Sequence, residues 1–285
     1  MASKIFNLRY VVERTGSQKY PIKFLLSRVL WYSRLCKMFT INLSHGVRIR
    51  FYPTSTSTAL WVDPNCFNSE GVDFIWDYLS GGDIFVDVGA NIGHLTLTGA
   101  KKVGNGRVIS IEPHLKTFKF LNNNIKLNKL KNIKTYNFAA GDKSGKLRLS
   151  NIRSDDQNFI SQDGSIIVDA KRIDDLFINN KIELLKVDVE GYELFVLRGG
   201  LDVLSKTAVV YFESYETNFE RYNYHLRDIL DLLFKNNFRV FKFITDNNLQ
   251  EISLDYTSRE CENLIAVKDV FSFKQRMKNF TLIDL

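Results

Sequence analysis

The chain has 285 residues, of which 45% are hydrophobic and 25% are charged, and its formal net charge is +7. This length and composition allow one sizeable hydrophobic core and exclude a disordered, collagen-like or disulfide-rich protein. The three cysteines, Cys36, Cys66 and Cys261, form no CxxC pair and no cluster with histidine. We therefore expect reduced thiols and a cytoplasmic protein.

Positive charge is concentrated in the first part of the chain. Residues 1–50 contain ten Lys/Arg and one acidic residue, Glu13, a net charge of +9, which leaves −2 for the remaining 235 residues. We divide the chain into a basic N-terminal arm, residues 1–80, and a main domain, residues 81–285. A main domain with this charge is not typical of nucleic-acid-binding proteins, so no nucleic acid partner is expected.

Residues 20–39 of the arm have apolar side chains at helical spacing, with basic side chains around them. The positions near one helical face are Ile22, Leu25, Leu26, Val29, Leu30, Ser33 and Cys36. Charged residues interrupt every apolar run, so neither a transmembrane span nor a signal peptide is predicted. Either the helix packs on the main domain with its basic face in water, or it lies on an anionic membrane surface, which Trp31, Tyr32 and Phe39 would suit.

Two further elements are predicted in the rest of the arm. Residues 47–52 alternate in polarity and are separated from residues 58–62 by Pro53 and a Thr/Ser run, which indicates a β-hairpin. Residues 70–79 show the spacing of an amphipathic helix, which the following glycines end.

Residues 84–97, at the start of the main domain, predict a buried strand, a glycine-rich turn and the beginning of a helix. Gly89 and Gly93 allow a sharp turn and the close approach of a ligand, and the helix start offers unpaired N–H groups. Asp87 is placed to order the turn or to accept hydrogen bonds from the ligand. The turn residues predicted to bind the ligand are Asp87, Gly89, Ala90, Asn91 and Gly93.

Glu112 follows a second apolar strand, residues 107–111, and lies about twenty residues beyond the glycine turn, where doubly wound folds place an acid on a ribose diol. The turn and the acid together predict a nucleoside-containing ligand. The spacing Gly-x-x-x-Gly does not match the Gly-x-Gly-x-x-Gly fingerprint of dinucleotide enzymes, so NAD is not expected.

Residues 133–138 predict a third strand, whose carboxyl end would lie beside the adenine pocket. Asp142 follows it and either contacts the base or begins the turn that leads to Gly145. The polar loop 151–164 is long for a compact domain and is predicted to cover the ligand. Its polar residues include Asp155, Asp156, Gln157 and Asn158.

Lys186, Asp188 and Glu190 occupy alternate positions in a predicted strand and its extension, residues 184–190, so they share one face. Charges in a central strand are costly unless they are paired. A structural explanation therefore requires a salt-bridged cluster, whereas a functional one places the charges at the carboxyl edge of the sheet, facing the ligand. We favour the functional explanation.

Strands and helices continue to alternate up to about residue 268. Strands are predicted at 208–213, 238–243 and 262–267, and a helix at 226–234. This alternation predicts an α/β fold with a Rossmann-like, doubly wound and mostly parallel sheet that carries helices on both faces.

Four motifs in this order resemble the FkbM family of S-adenosylmethionine-dependent methyltransferases. They are DVGANIG at residues 87–93, IEP at 111–113, RIDDL at 172–176 and LKVDVEGYELFVLRG at 185–199. The resemblance implies a class I methyltransferase fold with an antiparallel last strand and S-adenosylmethionine as the cofactor. It also implies O-methylation of a hydroxyl on a sugar, glycan, glycolipid or natural product.

Methyl transfer to oxygen requires a protein that aligns the acceptor and removes or shares its proton. Asp188 and Glu190 are the predicted bases or acceptor-orienting groups, and Lys186 could pair with one of them or stabilise an alkoxide. His94 either faces the ligand or is a local cap or a surface residue. A divalent ion bound by Asp188, Glu190 and Glu213 would serve the same purpose, but we prefer a metal-free site.

Two other functions remain as alternatives. A nucleic-acid methyltransferase would need a basic surface near the cleft, which a charge of −2 does not favour. A catalytically inactive scaffold that binds a nucleotide or a membrane would not need the glycine turn, Glu112 and the Lys-x-Asp-x-Glu pattern together. The preferred partner is a small-molecule or glycan hydroxyl acceptor.

Overall fold

The computed structural model of the protein describes residues 15–16, 19–33, 35–64, 69–152, 157–176, 178–245 and 247–284. The predictions about Cys66, Asp155 and Asp156 lie outside these residues. None of the helices in the described ranges has the length and apolar character that crossing a membrane requires.

The described part of the arm contains helices and a small antiparallel sheet. Its elements are α1 (Pro21–Tyr32), β1 (Thr40–Asn42), β2 (Arg48–Arg50), α2 (Ser55–Val62) and α3 (Ser69–Tyr78). The strands β1 and β2 pair with Ile41 opposite Ile49. The helix predicted at residues 70–79 is confirmed by α3.

The hairpin predicted between residues 47–52 and 58–62 is wrong in its second strand. Residues 58–62 belong to α2, and β2 pairs instead with β1, which precedes it. The reason lies in Thr54, whose side-chain oxygen accepts a hydrogen bond from the Ser57 backbone N–H at 3.1 Å and caps α2. The Thr/Ser run that suggests a turn therefore starts a helix.

One face attaches α1 to the rest of the molecule, through the buried side chains of Phe24 and Ser27. The exposed residues of the predicted apolar face are Ile22, Leu25, Leu26 and Val29. The helix ends at Tyr32, and Cys36 is buried in a separate turn, Leu35–Met38. The helix thus packs on the molecule, but through a face other than the predicted apolar one.

The main domain alternates between strands and helices along most of its length. Its first half contains β3 (Ile84–Val88), α4 (His94–Val103), β4 (Arg107–Ile111), α5 (Leu115–Leu127), β5 (Ile133–Tyr136), β6 (Ala139–Ala140), β7 (Gly145–Leu149) and β8 (Ile166–Lys171). Its second half begins with β9 (Ile182–Val187), α6 (Glu193–Arg198), α7 (Leu201–Lys206), β10 (Thr207–Ser214), α8 (Glu216–Glu220) and α9 (Leu226–Lys235). It ends with β11 (Arg239–Thr245), β12 (Asn248–Glu251), β13 (Glu262–Val267), α10 (Val270–Arg276) and β14 (Thr281–Ile283).

The central sheet has the strand order β14-β12-β11-β13-β10-β9-β3-β4-β5. The five strands from β10 to β5 are parallel, and β13 is antiparallel to both of its neighbours. This arrangement confirms the doubly wound, mostly parallel sheet and the antiparallel strand at 262–267. From β3 the chain adds β4 and β5 on one side, and it later adds β9 and β10 on the other side. A ligand crevice is therefore expected between β3 and β9, at their carboxyl ends.

Side chains of the central strands alternate between two hydrophobic layers. Val86 and Leu185 belong to one layer, and Phe85 and Leu184 belong to the other. A third cluster joins the arm to the main domain. It includes Ile49, Phe51 and Leu60 from the arm and Ile92, Leu97 and Leu121 from the main domain. The two parts of the chain therefore share a core, and the division at residue 80 stays a prediction.

Replacing Phe51 by alanine tests whether the arm is an integral part of the fold. Phe51 is fully buried and stacks on Trp61 with ring centroids 5.0 Å apart, so its loss leaves a cavity. We expect the free energy of unfolding to fall by about 3–5 kcal/mol, measured by urea denaturation. The control is Met38→Ala at a position that is 76% exposed. Equal midpoints for the two variants would show that the arm docks loosely.

Candidate active site

A cavity of about 380 Å³ opens at the carboxyl ends of β3 and β9. Its volume is typical of small-molecule sites, and its position is the switch point of the sheet. The predicted site residues that line it are Asp87, Gly89, Ala90, Asn91, His94, Glu112, Lys186, Asp188 and Glu190. The structure therefore brings together side chains from both halves of the main domain.

Close packing fixes the glycine turn. Gly89 has a φ of +81°, and a Cβ at this position would lie 1.8 Å from the Asp188 backbone oxygen. Gly93 has a φ of +96°, and a Cβ there would lie 2.5 Å from a methyl carbon of Leu121. Any larger residue at either position would displace its neighbours. Gly93 thus shapes the turn from behind, whereas the backbone of Gly89, Ala90 and Asn91 reaches the cavity.

Glu112 holds the glycine turn from the neighbouring strand. Its Oε2 accepts a hydrogen bond from Asn91 N at 2.9 Å, and its Oε1 accepts one from His114 N at 2.8 Å. The residue is only 7% exposed, and burial raises the pKa of Glu112 to about 7. A carboxylate with further lone pairs at the cavity wall is suited to accept hydrogen bonds from a ribose diol.

Lys186 is the centre of a buried ion cluster. Its Nζ lies 3.3 Å from Asp87 Oδ1 and 3.3 Å from Asp188 Oδ2, and it donates a hydrogen bond to the Gly89 carbonyl at 2.9 Å. Burial opposes the charge, but the two carboxylates outweigh it and raise the pKa of Lys186. The salt-bridged cluster of the structural explanation is therefore present, and it forms part of the cavity wall as the functional explanation predicts.

A second acidic group lies beside this cluster. One carboxylate oxygen each of Asp188, Glu190 and Glu213 lies within 4.8 Å of the others. Burial, followed by the charges of Asp188 and Glu190, raises the pKa of Glu213 well above its ordinary value. A proton on Glu213 offsets the repulsion that three ionised carboxylates would otherwise create. The Cys261 thiol lies 3.3 Å from Glu213 Oε1 and donates a hydrogen bond to it.

Glu190 has an unusual backbone conformation, with a φ of +58°. Non-glycine residues rarely adopt positive φ, and such residues are concentrated at functional sites. The side chain is held by Asn218, whose Nδ2 donates to Glu190 Oε2 at 3.3 Å. The turn therefore directs a carboxylate toward the cavity at some cost in backbone energy.

His94 begins α4 and is 8% exposed. Burial lowers the pKa of His94 to about 4, so the imidazole is neutral at physiological pH. Its Nδ1 has no hydrogen-bond partner among the described residues, so this nitrogen does not cap the helix. A buried ring nitrogen in a cavity wall is suited to bind a polar group of a ligand.

Asp142, like Gly93, is a predicted site residue that is not among the described residues of the cavity wall. It lies near Tyr192, whose pKa is raised by burial and by the charge of Asp142. The side chains of Gln157 and Asn158 do line the cavity, in agreement with a loop that covers a ligand. Their roles and those of the other site residues stay predictions.

Several lining residues escaped the sequence analysis. They are Thr56, His114, Tyr192 and Asn263. Tyr192 lies within the motif at 185–199 and close to Glu190 in the sequence, so the motif could have identified it as a site residue. Thr56 and Asn263 come from the arm and from β13, and no local pattern connects such distant segments to the site.

The doubly wound sheet and the cavity at its switch point agree with the predicted class I methyltransferase fold. The methyltransferase FkbM domain matches residues 87–240, which is more than half of the chain. The chain belongs to this family, and the predicted resemblance is confirmed. Membership brings S-adenosylmethionine as the cofactor of the class.

Two curated relatives and one solved structure illustrate the similarity. Methyltransferase 1 of Beauveria bassiana (strain ARSEF 2860) is 29% identical over 141 residues, covering 40% of this chain and 57% of the relative. The 2-O-methyltransferase NoeI of Sinorhizobium fredii (strain NBRC 101917 / NGR234) is 34% identical over 95 residues, covering 32% and 39%. The chain thus spans less than two thirds of these relatives. A SAM dependent methyltransferase from Aquifex aeolicus is 13% identical, with 73% of this chain and 94% of that chain covered and a TM-score of 0.43.

The residues present fit this cofactor. The backbone of Gly89 and Ala90 offers a surface without bulky side chains, and Glu112 can accept the ribose hydroxyl groups. Ala139 and Ala140 add small apolar residues after β5, where the adenine was expected. His94 provides a buried nitrogen that still lacks a partner among the described residues.

The pH dependence of S-adenosylhomocysteine binding tests the role of Glu112. Because the pKa of Glu112 is about 7, the carboxylate that accepts ribose hydroxyls predominates above this pH and disappears below it. We expect the highest affinity near pH 8 and a fall of up to about tenfold per pH unit below pH 7, measured by calorimetry.

The matched control for this prediction is Glu112→Gln. We expect the amide to weaken binding by about 1.5–3 kcal/mol and to remove the pH dependence. An affinity of the unaltered protein that does not change with pH, or a variant with full affinity, would place the ribose elsewhere.

Replacing Lys186 by methionine tests the buried ion cluster. The substitution keeps the length of the side chain but leaves Asp87, which is fully buried, without its cation. We expect the free energy of unfolding to fall by about 3–5 kcal/mol. Lys146→Met is the control, because its ion pair with Asp169 is exposed and its loss should not change stability measurably. Equal stability of both variants would contradict a structural role for Lys186.

Proposed function

We propose that the protein is an S-adenosylmethionine-dependent O-methyltransferase that acts on a hydroxyl of a sugar, glycan, glycolipid or natural product. The observation that carries this proposal is the position of Asp188 and Glu190, whose carboxylates line the same cavity as the glycine turn and Glu112. A base is therefore available beside the cofactor region. The similarity to a protein named 2-O-methyltransferase supports oxygen as the acceptor atom.

The charges of the cavity support a neutral acceptor. Among the described residues that line it, the carboxylates are Asp87, Glu112, Asp188, Glu190 and Glu213. The one ammonium group in this set is Lys186, which is already engaged by Asp87 and Asp188. A phosphate-rich ligand would be repelled by such a wall. A polyhydroxylated or other neutral acceptor is therefore favoured over a nucleic acid.

Bound S-adenosylmethionine supplies a methyl group that is already activated for transfer. The protein must orient the acceptor hydroxyl and take up its proton. Glu190 is the preferred base, because its turn at positive φ directs its carboxylate to the cavity, whereas Asp188 forms an ion pair with Lys186. Asp188 then orients the acceptor, and protonated Glu213 keeps the group from carrying three adjacent charges.

Glu190→Gln tests the base directly. The amide keeps the shape of the side chain but cannot take up a proton, so turnover should fall by about 10²–10⁴ while S-adenosylhomocysteine still binds. The rate is measured with labelled cofactor, and Asp202→Asn at an exposed position of α7 serves as the control. A lower melting temperature with an unchanged rate per folded molecule would instead make the acidic group structural.

The same assay tests the metal-free site. We propose a metal-free site, in which a proton on Glu213 and not a cation offsets the charge of the acidic group. We therefore expect EDTA to leave the rate unchanged. Loss of activity that Mg²⁺ restores would show that Asp188, Glu190 and Glu213 bind a metal.

The acceptor is identified by incubating the protein and labelled cofactor with separate extracts of small molecules, glycans, lipids, RNA and DNA. Mass spectrometry then locates the methyl group that is gained. Labelling of a sugar or other neutral hydroxyl supports the proposal. Labelling confined to RNA or DNA would make the protein a nucleic-acid methyltransferase, and cofactor binding without transfer to any extract would favour the inactive scaffold.

A further inference from the structure

The helix α1 exposes an apolar face that points away from the molecule. The outer face of α1 consists of Ile22, Leu25, Leu26 and Val29, which are 74%, 42%, 50% and 63% exposed. Successive helical residues are rotated by about 100°, so positions three and four apart form one stripe. The buried residues Phe24 and Ser27 lie on the opposite side. The helix is thus anchored by one face and leaves a second apolar face in solvent.

The segment that follows α1 extends this apolar area. Leu35, Met38 and Phe39 are 48%, 76% and 40% exposed. We call the outer face of α1 together with these three residues the α1 surface. Single exposed apolar residues are common on proteins, but a group of seven on one helix and the adjoining turn indicates an interaction site.

Basic residues accompany the α1 surface. Lys23 and Lys37 are exposed within or beside it, and Lys19 is exposed before the helix. The sequence contains no Asp or Glu from residue 14 to residue 62. Lys19 is paired with Asp63 at 3.3 Å, which leaves the other two lysines to define the charge of the surface. The partner of this surface should therefore have an apolar interior and an anionic surface.

We propose that the α1 surface binds an anionic lipid bilayer. A helix lying in the interface buries its apolar stripe among the acyl chains and keeps its lysines at the headgroups. Anionic lipids add a favourable interaction with each cation near the surface. A second copy of the chain is the less suitable occupant, because it would bring two basic, acid-free segments together.

The position of α2 connects this surface to the active site. Leu30 of α1 packs against the cluster that contains Leu60 of α2, and Thr56 of α2 lines the cavity. The Thr56 hydroxyl also lies 3.4 Å from Asn91 Oδ1 in the glycine turn. Two helices, α1 and α2, therefore connect the proposed bilayer surface to the cavity. If the proposed function holds, a hydroxyl acceptor anchored in the bilayer, such as a glycolipid, is the favoured class of substrate.

Vesicle sedimentation with the full-length protein tests the proposal. We compare vesicles of phosphatidylcholine alone with vesicles that contain about a third phosphatidylserine, and we expect binding to be at least about tenfold stronger to the anionic vesicles. Raising NaCl to about 1 M shortens the screening length from about 10 Å to 3 Å and should weaken binding. The variant Ile22→Ser/Val29→Ser should lose at least about tenfold in binding, because it removes apolar insertion.

The matched control is Ile167→Ser/Phe271→Ser, which replaces two residues of similar exposure, 63% and 72%, away from the α1 surface. Its binding should equal that of the unaltered protein. Equal binding to both vesicle types, or full binding by the α1 variant, would overturn the proposal. The proposal would also be overturned if vesicles sedimented no protein and the α1 variant abolished a dimer. It would be overturned as well if vesicle binding appeared only after deletion of residues 1–14.

Failure of this proposal is distinguishable from failure of the proposed function. Both vesicle variants keep the cavity residues, so S-adenosylhomocysteine binding and methylation of a water-soluble acceptor should be unchanged. If the unaltered protein methylates such an acceptor but does not bind vesicles, the proposed function stands and the proposed membrane surface fails.

Discussion

The site depends on the contacts of one buried ammonium group, that of Lys186. The backbone pairing of β3 and β9 ends at the crevice, with Val88 opposite Val187, and Lys186 extends the connection through Asp87, Asp188 and the Gly89 carbonyl. Lys186 and Asp87 are buried and would each be costly without a partner, and their opposite charges compensate one another. The same contacts hold the glycine turn and Asp188, so one cation positions both of these parts of the cavity wall.

The acidity of the cavity also has a chemical meaning. Glu112 and Glu213 both have raised pKa values because they are buried, so protons moderate the charge of the cavity wall. A sulfonium cofactor carries a positive charge, whereas the thioether left after methyl transfer is neutral at sulfur. Carboxylates in the cavity wall would therefore favour the charged cofactor over the spent one. The wall that disfavours a phosphate-rich acceptor should thus help to exchange product for fresh cofactor.

Local sequence patterns correctly predicted the strands whose surroundings are apolar along most of their length. The strands β3, β4 and β13 are apolar runs bounded by turns, and their predicted limits agree with the structure. Glu112 lines the cavity at the end of the strand next to the glycine turn, where the sequence spacing placed it, and its contact with a ribose stays a prediction. Residues 58–62 were assigned wrongly because the Thr54 cap and the shared core decide their conformation. Periodicity likewise identified an apolar face in α1 but could not tell that the opposite face is the buried one.

The cavity wall is assembled from segments that lie far apart in the chain. Thr56 comes from the arm, Asp87 and Glu112 from adjacent strands, and Glu213 and Asn263 from the last third of the sequence. Contacts of such long range form slowly, because each requires the closure of a large loop. The site should therefore be completed late in folding, after the central sheet has formed. A ligand that binds only the completed cavity then stabilises the whole molecule against unfolding and not one segment alone.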